Sequence, residues 1–152
     1  MDFLYQDPYP ILKDDTHYKK LTSDYVKVEQ LGDREILVVD PKGLELLAQE
    51  AMDDVSFMLR SAHLQKLRNI IEDPEATDND RFVAYNLLQN AAVAVEGQLP
   101  SCQDTGTAIV VAKKGENVYT GVDDGEWLSK GIYNTYQNKN LRYSQIVPIS
   151  MF

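Results

Sequence analysis

The chain has 152 residues, of which 43% are hydrophobic and 26% are charged, a composition typical of one ordinary globular domain. Its formal net charge of -9 argues against binding to nucleic acid or to an anionic membrane, because either partner requires a basic surface. No stretch approaches the roughly 20 apolar residues of a membrane-spanning helix, and the acidic start lacks a signal-peptide pattern. The single cysteine excludes a disulfide within the chain, so we expect a cytoplasmic protein.

Residues 1–25 are rich in Pro, Asp and Tyr and show no helical period. We expect an extended arm that lies on another surface, since its aromatic and aliphatic side chains would be costly to leave in water. The next segment alternates apolar and polar residues. It predicts a β-hairpin with "YVKVEQL" and "REILVVD" as strands and "GD" as the turn.

Three helices are predicted in the middle of the chain, each from apolar residues at steps of three and four. The first begins at Asp40-Pro41, and its stripe is Leu44, Leu47, Ala48, Ala51, Val55, Met58 and Leu59. After a break near Arg60-Ser61, a shorter helix ends before Pro74, with an inward stripe of Leu64, Leu67, Ile70 and Ile71. "TDND" caps a third helix that Gly97 closes, striped by Phe82, Tyr85, Leu88, Ala92 and Val95.

The last third of the chain predicts a second hairpin over "TAIVVAKKGENVYTG" and a fourth helix over "DDGEWLSKGIYNTYQ", with acids at its start. Trp127, Tyr133 and Tyr136 recur at helical spacing in that helix and are expected in the core. The sequence therefore predicts an α+β fold: a helix-rich single domain, residues 1–152, packed on a small, mainly antiparallel sheet.

The most unusual segment is "LPSCQDTGTAIVV", residues 99–111, in which the only cysteine, Cys102, precedes Gln103 and Asp104. A lone cysteine is most often a small buried hydrophobe. A catalytic thiol would need one of the two histidines nearby, and a metal ligand would need further ligands elsewhere. Asp104 stands before an apolar run, where partial desolvation would raise its pKa and suit it to acid–base work.

Arg142 in "NLRYSQ" allows two interpretations. Near a helix end, an arginine commonly meets the last carbonyl groups or solvent. Its planar guanidinium would also hold a substrate carboxylate through two hydrogen bonds.

Several segments together resemble the amino-terminal part of the single-chain class I, iron–sulfur-dependent fumarases: "LPSCQDTGTA", "GIYNTY", "NLRYSQ", the arm "KDDTHYKKLTSDYV" and "FMLRSAHLQ…EDPEATDND". That family reversibly hydrates fumarate to (S)-malate at a 4Fe-4S cluster held by three cysteines, with one iron open to substrate. The resemblance implies that Cys102 is one cluster ligand and that Gln103 and Arg142 contact the dicarboxylate. It also implies that Asp104 is an acid–base or orienting group.

The resemblance further implies that the two other cluster cysteines and the general base belong to the rest of a longer polypeptide, which forms a homodimer. We therefore expect this segment by itself to hold no 4Fe-4S cluster and to be inactive. Three other functions stay open. A tartrate dehydratase shares the Cys-Gln-Asp loop but lacks the arm; the segment alone would serve as a non-catalytic assembly module; or it is an independent thiol enzyme that alkylation of Cys102 would inactivate.

Overall fold

The structure is a computed structural model that describes residues 3–10, 17–101 and 107–142. In chain order its elements are β1 (Val26–Leu31), β2 (Arg34–Val39), α1 (Pro41–Phe57), α2 (Ser61–Glu72), α3 (Asp78–Ala94), β3 (Val118–Tyr119) and α4 (Asp124–Asn138). The predicted α+β class is confirmed. None of the helices in the described ranges is long and apolar enough to cross a membrane.

The first predicted hairpin is confirmed. β1 and β2 pair antiparallel, from Val26 opposite Val39 to Leu31 opposite Arg34. Gly32 in the turn has a φ of 60°, a conformation that glycine adopts without the steric cost of a Cβ atom. β3 adds to the other edge of β2 in parallel, so the three-stranded sheet is mixed, with its longer pairing antiparallel.

The second predicted hairpin is wrong. Residues 107–114 form no strand, and β3 pairs with β2 instead of with "TAIVVA". The Leu37 N–H of β2 donates to the Asn117 carbonyl at 2.8 Å, and Leu37 lies opposite Val118. β-propensity alone does not make the run a strand, because a strand also needs hydrogen-bonding partners along its length, and among the described strands β3 pairs with β2.

The predicted helix starts are confirmed, and those of α1, α3 and α4 are set by side-chain capping. The Asp40 carboxylate accepts from the Lys42 N–H at 2.9 Å at the start of α1. Thr77 and Asp80 form a reciprocal capping box at the start of α3. The Asp123 carboxylate accepts two free N–H groups in the first turn of α4.

The predicted apolar stripes are buried only in part. On α1, Leu47 is 52% exposed and Val55 is 58% exposed, whereas Ala48 is buried. On α2, Leu67 is buried and Ile70 is exposed.

On α3 the predicted stripe is wrong, because Phe82, Tyr85 and Val95 are exposed while Ala84 and Ala94 are buried. α3 carries apolar residues on more than one side, and α2 packs against only one of them.

The core lies where α1 and α4 cross. Its buried cluster is Phe57, Tyr136 and Leu141, with Met52 and Ile132 packed against it. Of the aromatic residues expected in the core from α4, Tyr136 is confirmed, Trp127 is half-buried and Tyr133 is exposed. The crossing therefore buries one face of α4 and leaves the face with Tyr133 in solvent.

Candidate functional site

Of the four predicted site residues, the structure describes one. Cys102, Gln103 and Asp104 lie outside the described residues. Arg142 is described and is exposed. Ser101, which precedes the cysteine, and Leu141, which precedes the arginine, are both described and buried.

Ser101 is fixed on the C-terminal end of α1. Its N–H donates to the Ser56 carbonyl at 2.8 Å, and its hydroxyl donates to the Asn90 Oδ1 of α3 at 3.4 Å. The last carbonyl groups of a helix have no partner within the helix, so Ser101 satisfies one of them. Ser56 and Ser101 are both buried. The chain therefore enters the Cys102 segment from a fixed point.

The Arg142 segment is fixed by the way α4 ends. Asn140 has a φ of 52°, and the Leu141 N–H reaches back to the Tyr136 carbonyl at 3.1 Å. A left-handed residue followed by this long backward hydrogen bond is the Schellman type of helix end. Leu141 is buried against Phe57 and Tyr136, and Arg142 follows it directly into solvent.

The two segments share one support. Ser56, which holds Ser101, and Phe57, which packs against Leu141, are consecutive residues of α1. The residue before Cys102 and the residue before Arg142 are therefore attached to adjacent points on the same helix end. This tertiary arrangement brings Ser101 and Leu141, 40 residues apart in sequence, to neighbouring points of one helix.

Sequence reasoning missed these supporting residues. Ser56 and Phe57 both lie between the positions of the predicted apolar stripe, so helical periodicity does not select them. A weak signal lies in the sequence, where Ser56 is a small polar residue next to the aromatic Phe57 at the end of α1. In the structure its hydroxyl donates to the Met52 carbonyl at 2.7 Å.

The crossing of α1 and α4 depends on small residues of "GIYNTY". A Cβ atom on Gly131 would lie 2.2 Å from the Glu45 carbonyl oxygen, so only glycine allows this approach. The Thr135 hydroxyl donates to the Gln49 carbonyl at 2.9 Å across the same crossing. Thus α4 is held close to α1 over the residues that precede Arg142 in the chain.

Polar side chains of α4 also contact the Glu45 carboxylate of α1 at this crossing. Lys130 Nζ donates to the Glu45 carboxylate at 2.8 Å, and Asn134 donates to its other oxygen at 2.8 Å. The hydrogen bond from Lys130 lowers the pKa of Glu45 below its usual value, against a smaller opposing effect of desolvation. Lys130 also lies over the Trp127 ring, 4.6 Å from its centre.

The described residues do not make up an iron–sulfur site. They contain no group of three or more His, Cys, Asp and Glu side chains arranged to hold a metal ion. The whole chain has one cysteine, against the three that the resemblance implies for a 4Fe-4S cluster. This chain can therefore supply one thiolate at most, and the remaining ligands must come from elsewhere.

A family model and several known proteins that match this chain all carry the name fumarate hydratase. The family model for fumarate hydratase (Fumerase) matches residues 45–151, which include most of α1 and everything after it. The chain is 54% identical over 150 residues to the anaerobic class I fumarate hydratase of Escherichia coli K12, covering 99% of the chain and 27% of that protein. The aerobic class I enzyme of the same organism is 53% identical over the same coverage.

A more distant organism gives a similar result. Fumarate hydratase 1, mitochondrial, of Leishmania major is 51% identical over 140 residues, covering 91% of the chain and 26% of that protein. The chain thus spans about a quarter of the length of the curated relatives it matches.

Proposed function

The chain belongs to the fumarate hydratase (Fumerase) family, and we propose that it is the amino-terminal segment of a hydro-lyase that reversibly hydrates fumarate to (S)-malate. The observation that carries this proposal is the identity of 51–54% to class I and mitochondrial fumarate hydratases over 91–99% of the chain. The same names favour fumarate over tartrate as the substrate.

In the proposed enzyme, Cys102 is one thiolate ligand of a 4Fe-4S cluster. The other ligands belong to the rest of the same polypeptide, because this chain has no second cysteine. We also propose that the enzyme is a cytoplasmic homodimer and that its general base lies outside these residues.

Arg142 has the chemistry to bind a carboxylate of the substrate. Fumarate and malate are dianions, and the chain has a net charge of -9, so binding requires a local positive charge. A guanidinium offers this charge with two parallel hydrogen bonds. Two observations support Arg142 in this role: it is exposed, and the Leu141 side chain before it is anchored at the helix end that also holds Ser101.

Gln103 and Asp104 complete the part of the site that we assign to this chain. An amide side chain can orient a carboxylate or hydroxyl by donating and accepting hydrogen bonds. Hydration adds a hydroxyl to one carbon of the double bond and a proton to the other, so a carboxyl group beside the substrate can hold or orient a proton. As charge develops on a substrate carboxylate during proton transfer, a guanidinium that already holds it stabilises the transition state.

The test compares two polypeptides after anaerobic reconstitution with iron and sulfide. We expect a polypeptide of the relatives' length that carries this sequence to gain a stoichiometric cluster and to interconvert fumarate and malate. The 152-residue chain is expected to gain neither the cluster absorbance nor the activity. An active 152-residue chain, or a longer polypeptide that prefers tartrate, would contradict the proposal.

A second function for the segment alone is that of a non-catalytic assembly module. The observation that favours it is an apolar groove of about 410 Å³ beside α1, lined by Leu47, Val55, Ile109, Leu128 and Ile132 among others. Ile109 in this groove is 81% exposed. Two measurements test this function: the solution mass of the chain, and its binding to the rest of the polypeptide. We expect a complex, and a monomer that does not bind the rest of the polypeptide would refute the function.

A further inference from the structure

We infer that Asn140 is a positioning residue for Arg142, because its left-handed backbone sets the direction in which the chain leaves α4. This inference rests on the proposed function, in which Arg142 binds a substrate carboxylate. It concerns a residue that does not itself touch the substrate.

The backbone of Asn140 is exceptional. Within residues 3–10, 17–101 and 107–142 it is the only residue other than glycine with a positive φ, at 52°. This conformation brings Cβ close to the following carbonyl oxygen and is unfavourable for an ordinary residue. Asparagine tolerates it better than most residues, and β-branched residues tolerate it worst.

Asn140 lies between two fixed residues. On one side, Lys139 Nζ is 3.2 Å from the Asp53 carboxylate and lies over the Phe57 ring. On the other side, Leu141 is buried beside Phe57 and its N–H is bonded to the Tyr136 carbonyl. If Asn140 left the left-handed region, one of these two attachments would have to break.

The consequence falls on Arg142. Successive Cα atoms are about 3.8 Å apart, so Arg142 lies within two peptide units of the turn and inherits its direction. Misplacement of a substrate-binding group by about 1 Å can reduce catalysis by as much as 100-fold. A change of backbone at Asn140 is therefore expected to act through the guanidinium and not through the global fold.

The experiment uses the complete reconstituted hydratase that carries this segment, with four single variants and steady-state kinetics on malate. Asn140→Val is expected to raise KM roughly tenfold with a smaller change in kcat, since it disfavours the left-handed conformation. Asn140→Gly, which accepts that conformation, should stay within about twofold of the wild type.

Asn138→Val is the matched control, because it makes the same change at an exposed position inside α4 and should also stay within about twofold. Arg142→Ala is expected to raise KM roughly 10- to 100-fold.

The variants distinguish the proposed role of Arg142 in substrate binding from the inferred role of Asn140 in positioning it. If Arg142→Ala leaves KM unchanged, the proposed role of Arg142 is wrong. If Arg142→Ala raises KM but Asn140→Val behaves like Asn138→Val, the positioning inference is wrong and the proposed function stands.

In the Arg142→Ala background, Asn140→Val should add little to KM; an additive increase would overturn the inference. A loss of folded enzyme alone would lower kcat per total protein and leave KM unchanged. If Asn140→Val does not fold, Asn140→Ala replaces it with the same expected direction and a smaller effect.

Discussion

The two faces of α1 have opposite characters. The packed face lies against α4 or the Ser101 segment and combines small and polar residues, Glu45, Ala48, Gln49 and Ser56, with Met52 and Phe57 of the core cluster. The open face, Leu47, Ala51 and Val55, is the more apolar of the two, yet its residues are exposed beside the groove that Ile109 lines. The predicted apolar stripe is therefore divided: Ala48 is packed against α4, and Leu47, Ala51 and Val55 are left uncovered in the described fold.

The α1–α4 contact therefore depends on close approach at one end as well as on apolar burial around Phe57 and Tyr136. Gly131 lets the two backbones approach until a Cβ atom would clash with a carbonyl oxygen. At that distance Thr135 and Lys130 reach polar groups of α1 across the crossing. The larger side chains of the open face could not be accommodated at such a separation. The following predictions test this contrast.

The largest effect is expected from Gly131→Ala on the packed face. The added Cβ would stand 2.2 Å from the Glu45 carbonyl oxygen and 2.9 Å from the Ala48 Cβ, so the helices must separate. We expect the free energy of unfolding of the chain to fall by roughly 3 kcal/mol in urea titrations.

Gly115→Ala is the control for that substitution, because its Cβ would meet only Val118, at an ordinary 3.7 Å. The control should change the free energy of unfolding by no more than about 1 kcal/mol. Equal losses in the two variants would show that the close crossing does not govern stability.

The next effect is expected from Thr135→Val, which keeps the side-chain volume and removes the hydroxyl that donates to the Gln49 carbonyl. Thr135 is 2% exposed, so water does not replace the lost hydrogen bond. The free energy of unfolding should fall by about 1 kcal/mol. As a control, Tyr133→Phe removes a hydroxyl from the exposed side of α4 and should have no comparable effect. If the Thr135→Val chain is as stable as the wild type, the Thr135 hydrogen bond does not stabilise the crossing.

A smaller, pH-dependent effect is expected from Glu45→Gln. The pKa of Glu45 is lowered in the folded chain from its ordinary value of 4.5, chiefly by the hydrogen bond from Lys130, so this carboxylate stabilises the fold above that ordinary value. The stabilisation is lost as the pH falls through the lower folded pKa. At pH 7 the substitution should cost about 0.2–1 kcal/mol, and the difference from wild type should vanish in acid.

Unfolding at a series of pH values measures this effect. Glu116→Gln, which removes the same charge from an exposed turn, should give a curve parallel to that of the wild type. A Glu45→Gln effect that persists unchanged in acid would show that the ion pair is not its source.

The smallest effect is expected from Val55→Thr on the open face. Val55 is 58% exposed, so a hydroxyl there is hydrated and the free energy of unfolding should change by less than about 0.5 kcal/mol. A cost above about 1 kcal/mol would mean that the open face is covered in solution, and the mass of the chain by light scattering would show whether a second copy covers it.

Parts of the candidate site could be predicted because they depend on short stretches of sequence. The residues of "LPSCQD" and "NLRYSQ" identify the candidate groups, although Cys102, Gln103 and Asp104 remain predictions because they lie outside the described residues. The shared support at Ser56 and Phe57 could not be predicted. It joins positions about 45 and 85 residues apart in sequence, and no local pattern records such a contact.

The sequence by itself determined the features that neighbouring residues can decide. These are the β1–β2 hairpin, with its turn at Gly32, and the caps at Asp40, Thr77 and Asp123, where each side chain satisfies backbone groups within a few residues. Only the tertiary structure decided which strands pair and which helix faces pack against each other. It paired β3 with β2 instead of with "TAIVVA", and it set the face of α1 that carries Ala48, Met52 and Phe57 against α4. Such choices depend on competition between surfaces distant in sequence, which local propensity does not contain.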